Sequence, residues 1–323
     1  MKKSILYLMI GLAGGAGLTL LMSHQSVSSD ENPRSEVSSV VAPPKVPASV
    51  EFAGQTVDLC RSDLHERMDR ELLAFSYSHQ LTLLMIKRAN RFFPVVEPIL
   101  KEYGVPDDLK YLMVIESNVD PRIKSSAGAA GLWQFMPASG REFGLEVNDN
   151  IDERYHVEKA TRAACSYLKK MYGQFGDWMT VAAAYNGGPG GVIKKQQAQG
   201  VNSALDMYLV EETSRYMFRL LAAKLVFSNP ARYGFVLRSE DLYPYIPPKE
   251  EVKVTTPIED LAVFAKQHGV TFAQLKNENP WLRESTLNNK SGRTYFVKIP
   301  DEKALFYDPK ATRPHDSAWV VDR

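Results

Sequence analysis

From residue 62 to residue 227 the apolar positions recur at helical intervals, and no run alternates with period two. Leu64, Met68, Leu72, Leu73, Leu83, Leu84 and Ile86 predict a long helix or helix pair from Ser62 to Arg91. Phe92-Phe93-Pro94 reads as a break, because proline removes a backbone donor. Val95 to Tyr103 reads as a shorter helix. Gly104 suits its end and Pro106 the first turn of the next, whose start Asp107 and Asp108 favour. Val157 to Gln174 carries Ala160, Ala163, Ala164, Leu168 and Met171 on one side. Trp178 to Tyr185 is a small-residue helix able to pack closely. Glu211 to Phe227 is a last long helix with Met217, Leu220, Leu221 and Leu225 as its core stripe. Gly187 to Gly191 reads as a loop edging a cleft. The pattern predicts a mainly α fold.

The pattern changes after a proline-containing linker, Leu237 to Pro248. Val252 to Thr255 alternates like a strand. Thr256, Pro257 and Glu259 form a capping box that predicts a helix starting there, with Ile258, Leu261, Phe264 and Ala265 inward. Gly269 ends that helix, Thr271 caps another, and Asn279-Pro280 stops it. Thr294 to Ile299 reads as a returning strand. The order strand–helix–helix–strand predicts a small α+β module. Trp281 and Tyr295 are open to two readings, a sugar-stacking surface or core.

The N-terminus reads as a targeting signal. Lys2 and Lys3 precede an uncharged apolar run from Ile5 to Met22, between a signal-peptide core and a membrane span in length. It predicts export, as a cleaved signal or a retained anchor. The organisation expected is a signal or anchor over 1–25, a disordered Ser/Pro linker over 26–50 and a helical domain with an N-terminal helical extension over 51–236. A linker over 237–250, a module over 251–302 and a loose tail over 303–323 complete it.

Composition narrows the classes. The 323 residues are 44% hydrophobic and 24% charged with a net charge of +1, ordinary for a globular protein. No basic excess points to nucleic acid. The six histidines are scattered and no His-Glu-x-x-His or Cys-x-x-Cys occurs, so neither a metal site nor another cofactor is expected. The two cysteines, Cys60 and Cys165, permit one disulfide in an exported chain or stand as two buried thiols.

One position stands out chemically. Leu109, Leu112, Met113 and Glu116 share one helical face, so the carboxyl of Glu116 continues an apolar stripe. Apolar surroundings and the negative end of a helix both disfavour its charged form. A proton donor near neutral pH needs that shift. On this segment alone, a helix-terminal Glu reaching for water is the other reading. The acids near it in sequence, Asp120, Glu142, Asp149 and Asp152, lack such a setting.

Four motifs follow in order: Glu116-Ser117; Gly131-Leu132-Trp133-Gln134; Ala184-Tyr185-Asn186-x-Gly188; and Tyr216. Together they resemble the family 1 lytic transglycosylases (SLT domain), most of all the D-type membrane-bound group, from about Asp107 to Leu225. The resemblance implies a lysozyme-like fold and a periplasm-facing location in the cell envelope. It implies peptidoglycan glycan strands as the partner, and non-hydrolytic cleavage between N-acetylmuramic acid and N-acetylglucosamine. It makes Glu116 the single acid and then base. Ser117 would hydrogen-bond near that acid, Gln134 contact the acid or the sugar, Tyr185 and Asn186 orient the muramoyl acetamido group, and Tyr216 hydrogen-bond toward Glu116. Trp133 would offer a stacking surface or fill core. The C-terminal module resembles a LysM unit, with Thr255-Thr256-Pro257-Ile258 in place of the usual opening Gly-Asp-Thr. The competing readings are a goose-type-lysozyme-like hydrolase on the same fold and a non-catalytic peptidoglycan-binding protein.

Overall fold

The computed structural model describes residues 42–322; the expectations for the N-terminal apolar run, and for most of the linker after it, lie outside those residues. From Val46 the chain packs on the core. It enters a hairpin of β1 (Ser49–Phe52) and β2 (Gln55–Asp58), antiparallel with Val50 opposite Val57. Ala53 and Gly54 turn it with φ of 51° and 80°, the positive values a two-residue hairpin turn needs. Phe52 is fully buried, and Ala53 N–H donates to Asp108 Oδ2 at 2.7 Å. No element was expected between the linker and the first helix at Ser62; four-residue strands are too short to show a period.

Helices α1 (Ser62–Tyr77) and α2 (His79–Tyr103) realise the expected pair, divided at Ser78. The break expected at Pro94 does not occur: α2 runs through both Pro94 and Pro98. Proline costs a helix interior about 3 kcal/mol, and packing offsets it. Phe93 lies within 5.7–6.1 Å, ring to ring, of Tyr111, Phe227 and Trp319, and Val96, Ile99 and Leu100 continue the same buried face. Gly104 closes α2 in the left-handed region. A 3-10 turn, Asp107–Lys110, leads into α3 (Tyr111–Ser117).

The rest of the helical body is α4 (Pro137–Glu142), α5 (Val157–Phe175), α6 (Trp178–Gly187), α7 (Pro189–Gln199) and α8 (Glu211–Ser228). Helix α8 packs on α1, α3 and α6. Helix α7 corrects the glycine-rich loop reading. Pro189 occupies its first turn, where the missing N–H has no helical partner to lose.

The module consists of β3 (Glu250–Val254), α9 (Leu261–Gln267), α10 (Phe272–Glu278) and β4 (Tyr295–Ile299), with β3 antiparallel to β4. Helix α9 starts later than the Thr256 box suggested. Asp260 caps it, accepting from Ala262 N–H at 2.6 Å, while Ile258 is drawn off to exchange backbone hydrogen bonds with Leu287. Trp281 and Tyr295 stack on each other at 5.7 Å and are buried, which favours core over a sugar platform.

The tail is not loose. Trp319 is buried between α2 and α8, its Nε1–H donating to Phe227 O at 2.6 Å. Asn90 Oδ1 accepts from His315 N–H at 2.7 Å, and Val321 N–H donates to Leu237 O at 3.0 Å. A single tryptophan supplies enough apolar area to anchor an otherwise polar segment. Both cysteines are free, Cys165 buried in α5 and Cys60 exposed, so neither the disulfide nor the pair of buried thiols describes them.

Candidate active site

Glu116 lies in the last turn of α3. Leu112, Met113 and Val114 before it are fully buried, which leaves the carboxyl in an apolar setting. Tyr216, buried on α8, donates its hydroxyl to Glu116 Oε1 at 2.6 Å. Burial pushes the Glu116 carboxyl up to about 7. The Tyr216 hydrogen bond opposes that rise and the nearby charge of Glu212 adds to it. Desolvation wins because a carboxylate loses far more from leaving water than one neutral donor returns. A group so placed is protonated for part of its population at neutral pH.

Tyr185, on α6, points its hydroxyl at Trp133 O, 2.6 Å away. Burial holds its ionisation well above the ordinary range, with the Glu116 charge adding to the shift. Asn186 is tied across to α8, its Oδ1 accepting from Thr213 Oγ1 at 2.9 Å. Gly187 permits that approach: a Cβ there would sit 3.0 Å from the same threonine hydroxyl.

The loop from Ile123 to Phe135 carries Gln134 at a φ of 47°. Its amide donates to Gly131 O at 2.9 Å and so closes the turn it sits on. Gly131 is irreplaceable on two grounds. Its φ is 76°, and a Cβ would lie 1.9 Å from Arg154 O. Trp133 is fully buried and donates Nε1–H to Thr161 Oγ1 at 2.9 Å, so its ring fills core.

The structure therefore brings Glu116, Tyr216 and Tyr185 together, ties Asn186 in through Thr213, and sets Gln134 beside the carbonyl that holds Tyr185. It does not bring in Ser117. That side chain is fully buried and donates to Met113 O at 2.7 Å within its own helix. Three of the neighbouring acids are engaged elsewhere: Asp120 with Arg88 at 3.2 Å, Glu142 with Lys170 at 2.7 Å, and Asp152 with Arg154 at 2.6 Å. Sequence reasoning missed Thr213, Glu212 and Arg154. Thr213 and Glu212 open α8, the helix whose first turns carry Tyr216, a placement that could have flagged them. Arg154 gave no local signal.

A family model described as "Transglycosylase SLT domain" matches residues 95–206. This chain carries a transglycosylase SLT domain. A second model, "Soluble lytic transglycosylase C-terminal LysM-like domain", matches residues 250–303. The chain is 33% identical over 246 residues to membrane-bound lytic murein transglycosylase D of Escherichia coli K12, across 75% of this chain and 52% of that protein. It is 36% identical over 112 residues to the soluble lytic murein transglycosylase of the same strain, across 32% of this chain and 17% of that one. The crystal structure of the 70 kDa soluble lytic transglycosylase of E. coli aligns at a TM-score of 0.37 and 22% identity, covering 50% of this chain and 30% of that chain. The chain thus spans about half the length of the first of these relatives. The SLT match takes in Glu116, Gln134, Tyr185 and Asn186 but ends before Tyr216, so the donor to Glu116 comes from a helix outside the matched segment.

Proposed function

We propose that this protein is a lytic transglycosylase of peptidoglycan, with Glu116 as its single acid and then base. The observation that carries the reading is a carboxyl raised to about 7 by burial and held in one orientation by Tyr216 at 2.6 Å. Protonated Glu116 gives its proton to the glycosidic oxygen between N-acetylmuramic acid and N-acetylglucosamine, and the C1–O bond breaks. The substrate's own acetamido oxygen stabilises C1 in place of a second carboxylate. Glu116, now ionised, takes the proton of the muramoyl C6 hydroxyl, which attacks C1 and closes a 1,6-anhydro ring. The carboxyl ends as it began, and no water is consumed.

The other side chains fit supporting roles. Tyr216 steadies the carboxyl in both protonation states, since its hydroxyl donates to either. Tyr185 and Asn186 border the site from α6 and suit contact with the acetamido group, and Gln134 suits contact with the sugar. Ser117 is better read as a helix-terminal packing residue, for its hydroxyl is already bonded. The apolar run at Ile5 to Met22 and the murein transglycosylases to which the chain is similar support a place in the cell envelope, facing its glycan. Among the described residues no helix is long and apolar enough to cross a membrane.

Digestion of purified sacculi with mass analysis of the products tests the reading. Anhydro-muropeptides are expected. Products one water heavier with reducing ends mark a lysozyme-type hydrolase instead, and no release marks a binding protein. Glu116→Gln is expected to lose at least ~10²-fold in release, the usual scale for a missing general acid; undiminished release would remove Glu116 from the mechanism.

A further inference from the structure

The C-terminal module and the SLT domain share one core. Ala130, Ile151 and Tyr155 of the helical body are buried in the same apolar cluster as Leu261, Leu275, Trp281 and Val297 of the module. The joint is also bonded through the main chain. Asp152 N–H donates to Trp281 O and Arg283 N–H to Asn150 O, both at 2.9 Å, with Ile151 bridging Leu282 between them. Asn150 is buried at the centre. Its amide donates to Thr286 O at 2.9 Å and to Glu284 Oε2 at 3.1 Å, and its Oδ1 accepts from Asn288 N–H at 3.0 Å. Two further contacts close the edge: Tyr295 Oη donates to Glu146 Oε2 at 2.9 Å, and the Arg283 guanidinium lies 4.1 Å from the Tyr155 ring centroid.

Two residues beyond this seam stands Arg154, 4% exposed. Asp152 grips its guanidinium with two oxygens, at 2.9 and 2.6 Å. The remaining nitrogen, Nη1, donates to Gly128 O at 2.7 Å and to Phe135 O at 2.9 Å. Both carbonyls belong to the loop that bears Gln134. That loop also folds over the backbone of Arg154, where Gly131 makes room for Arg154 O. Within itself the loop is bonded by Gly131 N–H to Ile123 O at 3.0 Å, Ala130 N–H to Phe135 O at 3.1 Å and Gly128 N–H to Ser125 O at 3.0 Å. From outside, Tyr185 Oη donates to Trp133 O at 2.6 Å, and Trp133 Nε1–H donates to Thr161 Oγ1 at 2.9 Å. Among the described residues, Arg154 alone holds the carbonyls of Gly128 and Phe135 through a side chain. A guanidinium's planar fork is suited to pinning two carbonyls and a carboxylate at once, which an ammonium cannot do.

We propose that Arg154 is a positioning residue for the Gln134 loop, and that the C-terminal module sets Arg154 through Asn150 and Asp152. The module is then a wall of the active-site domain, with Trp281 and Tyr295 spent on the joint, and not a freely swinging glycan anchor. The catalytic consequence rests on the function proposed above; the structural one does not.

Hydrogen exchange by mass spectrometry on the full chain tests it, read together with kcat and KM for muropeptide release. Asn150→Ala touches no residue of the 123–135 loop. It is nevertheless expected to speed exchange there, as well as in 282–288, by about tenfold. Arg154→Lys keeps a charge beside Asp152 and loses the fork. It is expected to speed exchange in 123–135 by a similar factor of about ten while leaving 282–288 unchanged. Both variants are expected to lower kcat more than they raise KM, with the pH midpoint of Glu116 unmoved. Faster exchange confined to 282–288 in Asn150→Ala, or an unaltered 123–135 loop in Arg154→Lys, would overturn the proposal. Should Asn150→Ala fail to fold, Tyr295→Phe removes the hydroxyl's bonds to Glu146 and Ser291 while keeping the ring, and is read in the same way. Loosened loops in a chain that releases no muropeptides would leave the positioning intact and sink the function alone.

Discussion

Tyr216 Oη lies 2.6 Å from Glu116 Oε1, across 100 residues of chain. The bond joins the end of α3 to the first turns of α8 and fixes the carboxyl in a site that otherwise offers it little polar company. Its electrostatic sense is opposite to that of burial, so the pair sets a balance that variants can tip either way.

Tyr216→Phe removes the one contribution that lowers the Glu116 pKa. The alkaline limb of the kcat/KM profile is expected to move upward, because the carboxyl stays protonated to higher pH. Release is expected to fall by about tenfold as the carboxyl loses its orientation. A pH–rate series on both proteins checks this; a limb displaced downward contradicts it.

Glu116→Gln makes a prediction about stability. The folded-state pKa is raised from 4.5 to about 7, so between those values the folded protein binds more protons than the unfolded one. Stability therefore declines as pH rises through that window, and the neutral amide escapes the decline. The variant is expected to match the parent near pH 4 and to exceed it by up to about 3 kcal/mol above pH 7.5. Urea denaturation across the range measures it, and a constant difference would show that Glu116 is not desolvated.

Gly131→Ala places a methyl group against Arg154 O in a conformation that alanine avoids. A loss of about 3 kcal/mol or more is expected. The same variant should loosen the Gln134 loop, visible as faster amide exchange over 123–135. Wild-type stability would mean that the loop sits farther from Arg154 than described.

Trp319→Ala tests whether the tail belongs to the body. The ring is 3% exposed and packs on Phe93 and Phe227. Emptying that site is expected to cost about 3–5 kcal/mol. Thermal and urea unfolding report it directly; a loss below 1 kcal/mol would restore the loose-tail reading.

Much of the architecture is visible in local sequence because helices announce themselves through side-chain period alone. The helices beginning at Val157, Trp178 and Glu211, the cap at Thr271 and the unusual setting of Glu116 all rest on neighbours within one or two turns. Partnerships across the chain could not be read that way. The break expected at Pro94 was erased by Phe93 meeting rings from α3, α8 and the tail. The hydroxyl of Ser117 went to its own helix, and Asn150 and Arg154 looked like ordinary polar loop residues. Periodicity and chemistry along the chain thus determined most of the helical segments, though not α7 or the unbroken α2, and singled out Glu116 as the candidate proton carrier. Only the tertiary structure decided which donor meets it, which aromatics are spent on core, and that the small C-terminal unit is built into the wall behind the Gln134 loop. Those outcomes depend on burial, and burial is conferred by residues far away in sequence.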